Sequence, residues 1–134
     1  MITHEVSAEE LLPLFRSAWW AAGRDLDGVA KMLERSDIVF GLRVDGRLAG
    51  FARVLTDDVY LALVLDVVVV PEFRGTGLGA ALMDAIVGHP RIAGVGSVEL
   101  VCQPELRPFY RRWGFTDEVG RSGLMRRVPL TPQA

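Results

Sequence analysis

The sequence predicts an α/β protein: a mixed sheet carrying helices, with one glycine-rich turn leading from a strand into a helix. Three observations predict it. Apolar spacing switches along the chain between the helical period and the strand period. Asp45-Gly46 stands between two runs of strand character, the strongest short-range hairpin signal. The β-branched run Val67-Val68-Val69-Val70 ends at Pro71 and passes through Gly75, Gly77 and Gly79 into a helical pattern. The chain of 134 residues suits one domain, 1–134, with 129–134 as a loose tail.

Composition excludes several function classes. The chain is 50% hydrophobic and 24% charged, an ordinary globular balance. A net charge of −2 provides no strong field for nucleic acid or an anionic membrane. The longest apolar run, residues 60–70, is interrupted by Asp66 and is too short to span a bilayer. Cys102 is the single cysteine, so no internal disulfide forms, which suits a reducing cytoplasm. The acidic start lacks the basic and apolar regions of a signal peptide. No metal-ligand spacing is present, and no metal is expected.

Taken in order, Ser7-Ala8-Glu9-Glu10 reads as a capping box, and Leu11, Phe15, Ala18, Trp19 and Ala22 continue at helical spacing to a stop at Gly23. Pro13 conflicts with a helix starting at Ala8, because its ring crowds the carbonyl of Glu9; a start near Leu11, or a kink, resolves this. Asp25 caps a second helix whose buried face is Leu26, Val29, Ala30 and Leu33. Residues 38–44 and 47–55 form the hairpin around Asp45-Gly46. Residues 59–70 form a long strand whose near-continuous apolar character places it centrally, covered on both faces. Leu78, Ala81, Leu82, Ala85 and Ile86 give the next helix its packed face, which stops at Gly88-His89-Pro90. Residues 97–102 form a further strand. Pro104 opens a helix striped by Leu106, Phe109, Tyr110 and Trp113 and closed by Gly114. Residues 115–119 and 124–128 read as a terminal pair of strands. The predicted order is ααβββαβαββ.

The strand-to-helix junction carries the chemistry. Glycine admits positive φ and close approach of a bulky anion. The first amides of a helix lack intrahelical partners and favour negative charge. The junction is therefore a cradle for a phosphate or pyrophosphate, with Arg74 adding positive charge. The P-loop pattern fails for want of its lysine, since Lys31 is the only lysine in the chain, and the spacing of Gly75, Gly77 and Gly79 does not fit G-x-G-x-x-G. What fits is R-x-x-G-x-G, read at Arg74, Gly77 and Gly79. With the preceding strand, this resembles the acyl-CoA pyrophosphate loop of the GNAT superfamily of N-acetyltransferases. Phe109-Tyr110-Arg111-Arg112-Trp113-Gly114-Phe115 resembles the F-Y-x-x-x-G-F segment of the same superfamily. The resemblance covers residues 7–128 or so.

The resemblance implies a GNAT fold: a mostly antiparallel mixed sheet with splayed central strands and about four helices. It implies acetyl-CoA as co-substrate and a primary amine, on a small molecule or a peptide, as acceptor, joined by direct attack in a ternary complex. The pantetheine arm would pair with the backbone of Val67, Val68 and Val69, where an amide would polarise the thioester carbonyl. The pyrophosphate would rest on Arg74, Gly75, Thr76, Gly77, Leu78, Gly79 and Ala80. Tyr110 holds the position of the tyrosine that protonates the departing thiolate, a task suited to a phenol neutral at pH 7. Tyr110 also lies on the apolar stripe of its helix, which gives it a packing role as the alternative.

The chain departs from the family at Gln103, where asparagine is common, and at Leu106, where alanine is common; both shape the cofactor end of the cleft. The acceptor must lose a proton, and Asp66 and Glu99, on the two strands lining the cleft, are the candidate bases, with a water relay as the alternative. Trp19 is expected in the core and Trp20 partly exposed, since neighbours on a helix point about 100° apart. Trp20 and Arg24 are candidates for the acceptor pocket, as an aromatic wall and an anion partner. The rival to a transferase is an acyl-CoA-binding sensor or partner-binding module of the same fold with little turnover. A homodimer is common in such folds, and nothing in the residues settles it.

Overall fold

The computed structural model describes residues 1–128. The expected loose tail, 129–134, lies outside them. Five strands form one sheet in the order β1 (Ile2–Thr3), β2 (Ile38–Val44), β3 (Arg47–Thr56), β4 (Leu61–Val69) and β5 (Ser97–Leu100). The first three pairings are antiparallel, and β4 pairs with β5 in parallel. The helices are α1 (Ala8–Arg16), α2 (Leu26–Arg35), α3 (Leu78–Val87), the short α4 (Pro90–Ala93) and α5 (Arg107–Arg111). This is the mixed α/β architecture that the sequence predicts, with β1 added at its start and α4 added in the linker after Gly88.

Capping decides where the first helix begins. Ser7 Oγ accepts from the Glu10 amide, and the Glu10 carboxylate accepts from the Ser7 amide, so α1 starts at Ala8 despite Pro13. The helix forgoes the bond that Pro13 would have donated to Glu9 and ends three residues later, at Arg16. Residues 17–23 do not continue it. They run in successive tight turns, with Ala18 N on Phe15 O and Ala21 N on Ala18 O. The helical argument therefore fails for Trp19, which is 80% exposed; Trp20 is partly exposed as expected, but it is the tryptophan that packs on the core, against Phe15 with ring centroids 6.2 Å apart. In α2, Val29 is buried and Met32 and Leu33 pack beside it, whereas Leu26 and Ala30 are exposed.

Both faces of the sheet are covered. Phe51 and Ala52 point to opposite faces, and both are fully buried. α1 covers the Phe51 face, where Phe15 meets Phe51 at 5.8 Å, and α3 packs across β2, β3 and β4 through Leu82, Met83 and Ile86. The hairpin turns on positive φ at Asp45 (51°) and Gly46 (78°), as Asp-Gly requires.

Two features of β4 prepare the site. The register with β3 passes from Phe51–Val68 to Arg53–Leu65, so β4 carries one residue more than β3 here, and Asp66 takes a φ of 58°. β4 also outruns β5: pairing ends at Val64–Leu100, the last residue of β5, and Leu65–Val69 run on without it. The expected terminal strands, 115–119 and 124–128, are absent; Phe115 is half-buried against the core, the other residues of these stretches are exposed, and none pairs with a strand among the described residues. Strand propensity alone forms no ladder without a partner edge.

Candidate active site

The junction after β4 is built as a cradle. A single 3-10 turn, Pro71–Phe73, follows the strand, and Gly75 and Gly77 then adopt φ of 78° and 88°. Gly77 is the N-cap of α3 and provides no side chain to satisfy the first amides. The amides of Arg74 and Thr76 bond to Pro71 O and Phe73 O. Among the described residues, no acceptor meets the amides of Gly75, Gly77, Leu78, Gly79 or Ala80. A Cβ at Gly75 or Gly77 would meet nothing within 4 Å, so open space lies over these donors. The arrangement fits a pyrophosphate: several convergent N–H groups at the positive end of a helix, with room for the anion.

Gly79 serves packing. A Cβ there would come within 3.3 Å of Phe109 Cζ, so the glycine lets α5 close against the start of α3. Trp113 Nε1 donates to Asp84 Oδ1 at 2.8 Å and fastens the same two helices. The two sequence signatures are therefore neighbours in space. Arg74 turns back: its Nε donates to Val69 O at 3.1 Å.

Val67, Val68 and Val69 lie on the part of β4 that β5 does not reach. β3 engages them from one side only. Tyr110 is 7% exposed, and among the described residues its hydroxyl has no hydrogen-bond partner. Burial, with Cys102 nearby, pushes its phenol up to about 12. It is therefore fully protonated at neutral pH. Gln103 stands at the start of the 3-10 turn Pro104–Leu106 that leads into α5, without a side-chain capping bond, and Leu106 is 40% exposed.

Asp66 does not stand free. Arg24 binds it through two bonds, 2.7 and 3.1 Å long, and Arg53 Nε donates to the same carboxylate at 2.7 Å. Burial raises its pKa, but the hydrogen bonds from Arg24 and Arg53 outweigh this and hold it below the usual carboxylate range. A carboxylate so held is a poor proton acceptor. Glu99 is exposed on β5, paired in register with Leu63, and accepts a bond from Ser97 Oγ at 3.0 Å. Trp20 and Arg24 do come together: the Arg24 guanidinium lies 5.6 Å from the Trp20 ring and 4.7 Å from Phe15. Arg53 is the residue that sequence reasoning missed. Its signal was an arginine in an otherwise apolar strand, Phe51-Ala52-Arg53-Val54.

Among the described residues, no group of three or more His, Cys, Asp or Glu is placed to hold a metal, and no helix is long and apolar enough to cross a membrane.

Comparison with known proteins identifies the family. The family described as acetyltransferase (GNAT) domain matches residues 7–133. An uncharacterized N-acetyltransferase, ycf52, of Porphyra purpurea is 35% identical over 127 residues, covering 91% of this chain and 72% of that protein. Serotonin N-acetyltransferase 2 of rice (Oryza sativa subsp. japonica), a chloroplastic protein, is 38% identical over 96 residues, 69% of this chain; the match spans 48% of the rice protein. The crystal structure of a protein belonging to the GNAT family from Xanthomonas campestris pv. campestris superposes with a TM-score of 0.84 at 32% identity, covering 96% of this chain and 92% of that one.

Proposed function

The chain belongs to the GNAT acetyltransferase family, and from that premise we propose that it moves an acetyl group from acetyl-CoA to a primary amine. The observation that carries the proposal is the set of unpaired amides at Gly75, Gly77, Leu78, Gly79 and Ala80, opening onto free space beside a strand edge that β5 leaves bare. Acetyl-CoA supplies an activated thioester. The loop amides and the Arg74 guanidinium hold its pyrophosphate, and the bare edge at Val67, Val68 and Val69 takes the pantetheine arm as an added strand. A backbone amide of that edge polarises the acetyl carbonyl.

The acceptor enters as a neutral amine and attacks directly: a C–N bond forms, the C–S bond breaks, and the ammonium proton leaves to solvent or a nearby base. Tyr110 gives its proton to the departing thiolate, and its burial keeps that proton in place until the thiolate forms. Because Asp66 is neutralised by Arg24 and Arg53, its part is to fix those two side chains and the β4 bulge, and an ordered water passes the amine proton outward. Trp20 and Arg24 border the acceptor. An aromatic wall suits an aromatic amine such as the serotonin of the rice relative's name, so serotonin heads the panel of acceptors.

The test has two parts. Acetyl-CoA at about a hundredfold excess over Kd should add about 2.7 kcal/mol of stability, read as a thermal shift that ATP does not reproduce. Free thiol should then appear only when an amine is present. Stabilisation without thiol release on any amine would replace the transferase with an acyl-CoA sensor. No shift with acetyl-CoA would overturn the cradle assignment.

A further inference from the structure

Two arginines share Asp66, and the three charges do not sum to zero. Arg24 places Nη1 and Nη2 on the two carboxylate oxygens, while Arg53 uses only its Nε. Among the described residues, Arg24 Nε and the Nη1 and Nη2 of Arg53 have no partner, and no other acid lies at ion-pair distance from either guanidinium. Glu10 is taken by Arg43, Glu72 by Arg47, and Asp25 by the Gly28 amide that it caps. One positive charge is left over.

The surplus faces outward. The Asp66 side chain is 8% exposed, whereas those of Arg24 and Arg53 are 35% and 17% exposed. A molecule arriving here meets guanidinium rather than carboxylate. Alternation along β3 puts Arg53 on the same face as Phe51, the face on which Phe15 packs. The Arg24 guanidinium lies over Phe15 and beside the Trp20 ring. Both cations and the tryptophan therefore share one face, and the carboxylate that joins them directly precedes Val67–Val69 in the chain.

A half-buried charge without a counterion is costly, and an arriving anion removes that cost. A guanidinium presents a planar fork of donors that fits a carboxylate. Because Arg53 bonds Asp66 through Nε alone, its terminal fork is complete and free. One surplus charge matches one carboxylate; a phosphate dianion would exceed it, and a polyamine would add positive charge to a positive place.

We infer that the acceptor is a free α-amino acid with an aromatic side chain, its carboxylate held by Arg53 and Arg24 and its ring by Trp20. The inference rests on the transferase reading and gives it an acceptor class. In an α-amino acid the amine sits on the carbon next to the carboxylate. Fixing the carboxylate at the foot of Val67–Val69 therefore keeps the amine close to the edge proposed for the thioester. Serotonin and its analogues offer the ring without the carboxylate, so they isolate the contribution of the charge.

The test compares tryptophan with tryptamine, which differ by that carboxylate alone. Each is titrated by calorimetry into the full chain, with and without saturating CoA, so that binding is read without turnover. Tryptophan should bind about tenfold or more tightly than tryptamine, and tryptophan methyl ester, which has lost the charge, no better than tryptamine. Arg53→Gln leaves Asp66 its pair with Arg24 and should bring the affinities for tryptophan and tryptamine together. That comparison is made within one variant, so a general loss of structure, which weakens both ligands, does not imitate it. Equal affinities in the parent protein overturn the inference. So do tighter binding of tryptamine, an ester that binds like the acid, a preference that survives Arg53→Gln, or no binding of either ligand. Thiol release from acetyl-CoA is scored apart. A protein that acetylates tryptamine but not tryptophan keeps the transferase reading and loses the carboxylate site; selective binding of tryptophan with no thiol release on any amine does the reverse.

Discussion

The two sides of β4 are built to opposite rules. Toward the N-terminal half, polar groups find partners. Ser7 and Glu10 cap α1 reciprocally, Asp25 caps α2, Asp57 accepts from the amides of Val59, Tyr60 and Leu61, and Arg43 holds Glu10 through bonds of 2.6 and 2.9 Å. Toward the C-terminal half, the amides of Gly75, Gly77, Leu78, Gly79 and Ala80 and the hydroxyl of Tyr110 have no partner among the described residues, and β5 does not extend along Leu65–Val69. Unpaired donors are costly when buried and rare in finished structures. Their concentration on one side is what the proposed binding of acetyl-CoA there rests on, and the satisfied side is the scaffold that holds them apart.

Substitutions can break this contrast. The largest effect is expected from Gly77→Arg, which places a side chain in the open space over the loop and strains a φ of 88°. Acetyl-CoA binding should vanish by calorimetry while circular dichroism keeps the parent spectrum; retained affinity would mean the unpaired amides are idle. Asp66→Asn tests the border between the two sides. It leaves Arg24 and Arg53 without their carboxylate, and urea unfolding should show a loss of about 3 kcal/mol. An unchanged midpoint would mean the pairs stabilise nothing.

Tyr110→Phe should lower kcat about a hundredfold, roughly 2.7 kcal/mol of barrier, with acetyl-CoA affinity unchanged. Equal kcat would reduce Tyr110 to a packing residue. The smallest effect belongs to the satisfied side. Arg43 holds the Glu10 carboxyl at about 2 against an ordinary 4.5, partial burial opposing it. Because the folded value is the lower one, this stabilisation is complete above pH 4.5 and is lost as pH falls toward 2. Glu10→Gln should therefore cost about 1 kcal/mol at pH 7, and the gap from the parent should close by pH 2. A gap independent of pH would assign the loss to packing.

Much of this was legible in the residues because local chemistry fixed it. The capping box, the Asp45-Gly46 turn, the central strand and the glycine junction each depend on neighbours in sequence. What was not legible depended on partners far along the chain. Nothing near Trp19 announces that α1 stops at Arg16, so the periodicity assigned the wrong tryptophan to the core. Asp66 reads as a base until Arg24 and Arg53 arrive from other elements, 42 and 13 residues away. The segment after Phe115 has strand pattern, but a strand needs an edge, and no sequence pattern says which edge is within reach.

The surplus residue at Asp66 has a consequence for the whole cleft. A strand counts its faces in twos, and one extra residue resets the count from that point on. Val67, Val68 and Val69 are thereby in a different phase from the strand that precedes them. An aspartate, one of the few residues that accept a left-handed backbone readily, makes that change of phase possible without a glycine. Straightening the bulge with every residue kept would turn Val67, Val68 and Val69 each to the opposite face, whereas deleting Asp66 would leave Val68 opposite Phe51, so the faces of this edge are set by arithmetic as much as by chemistry.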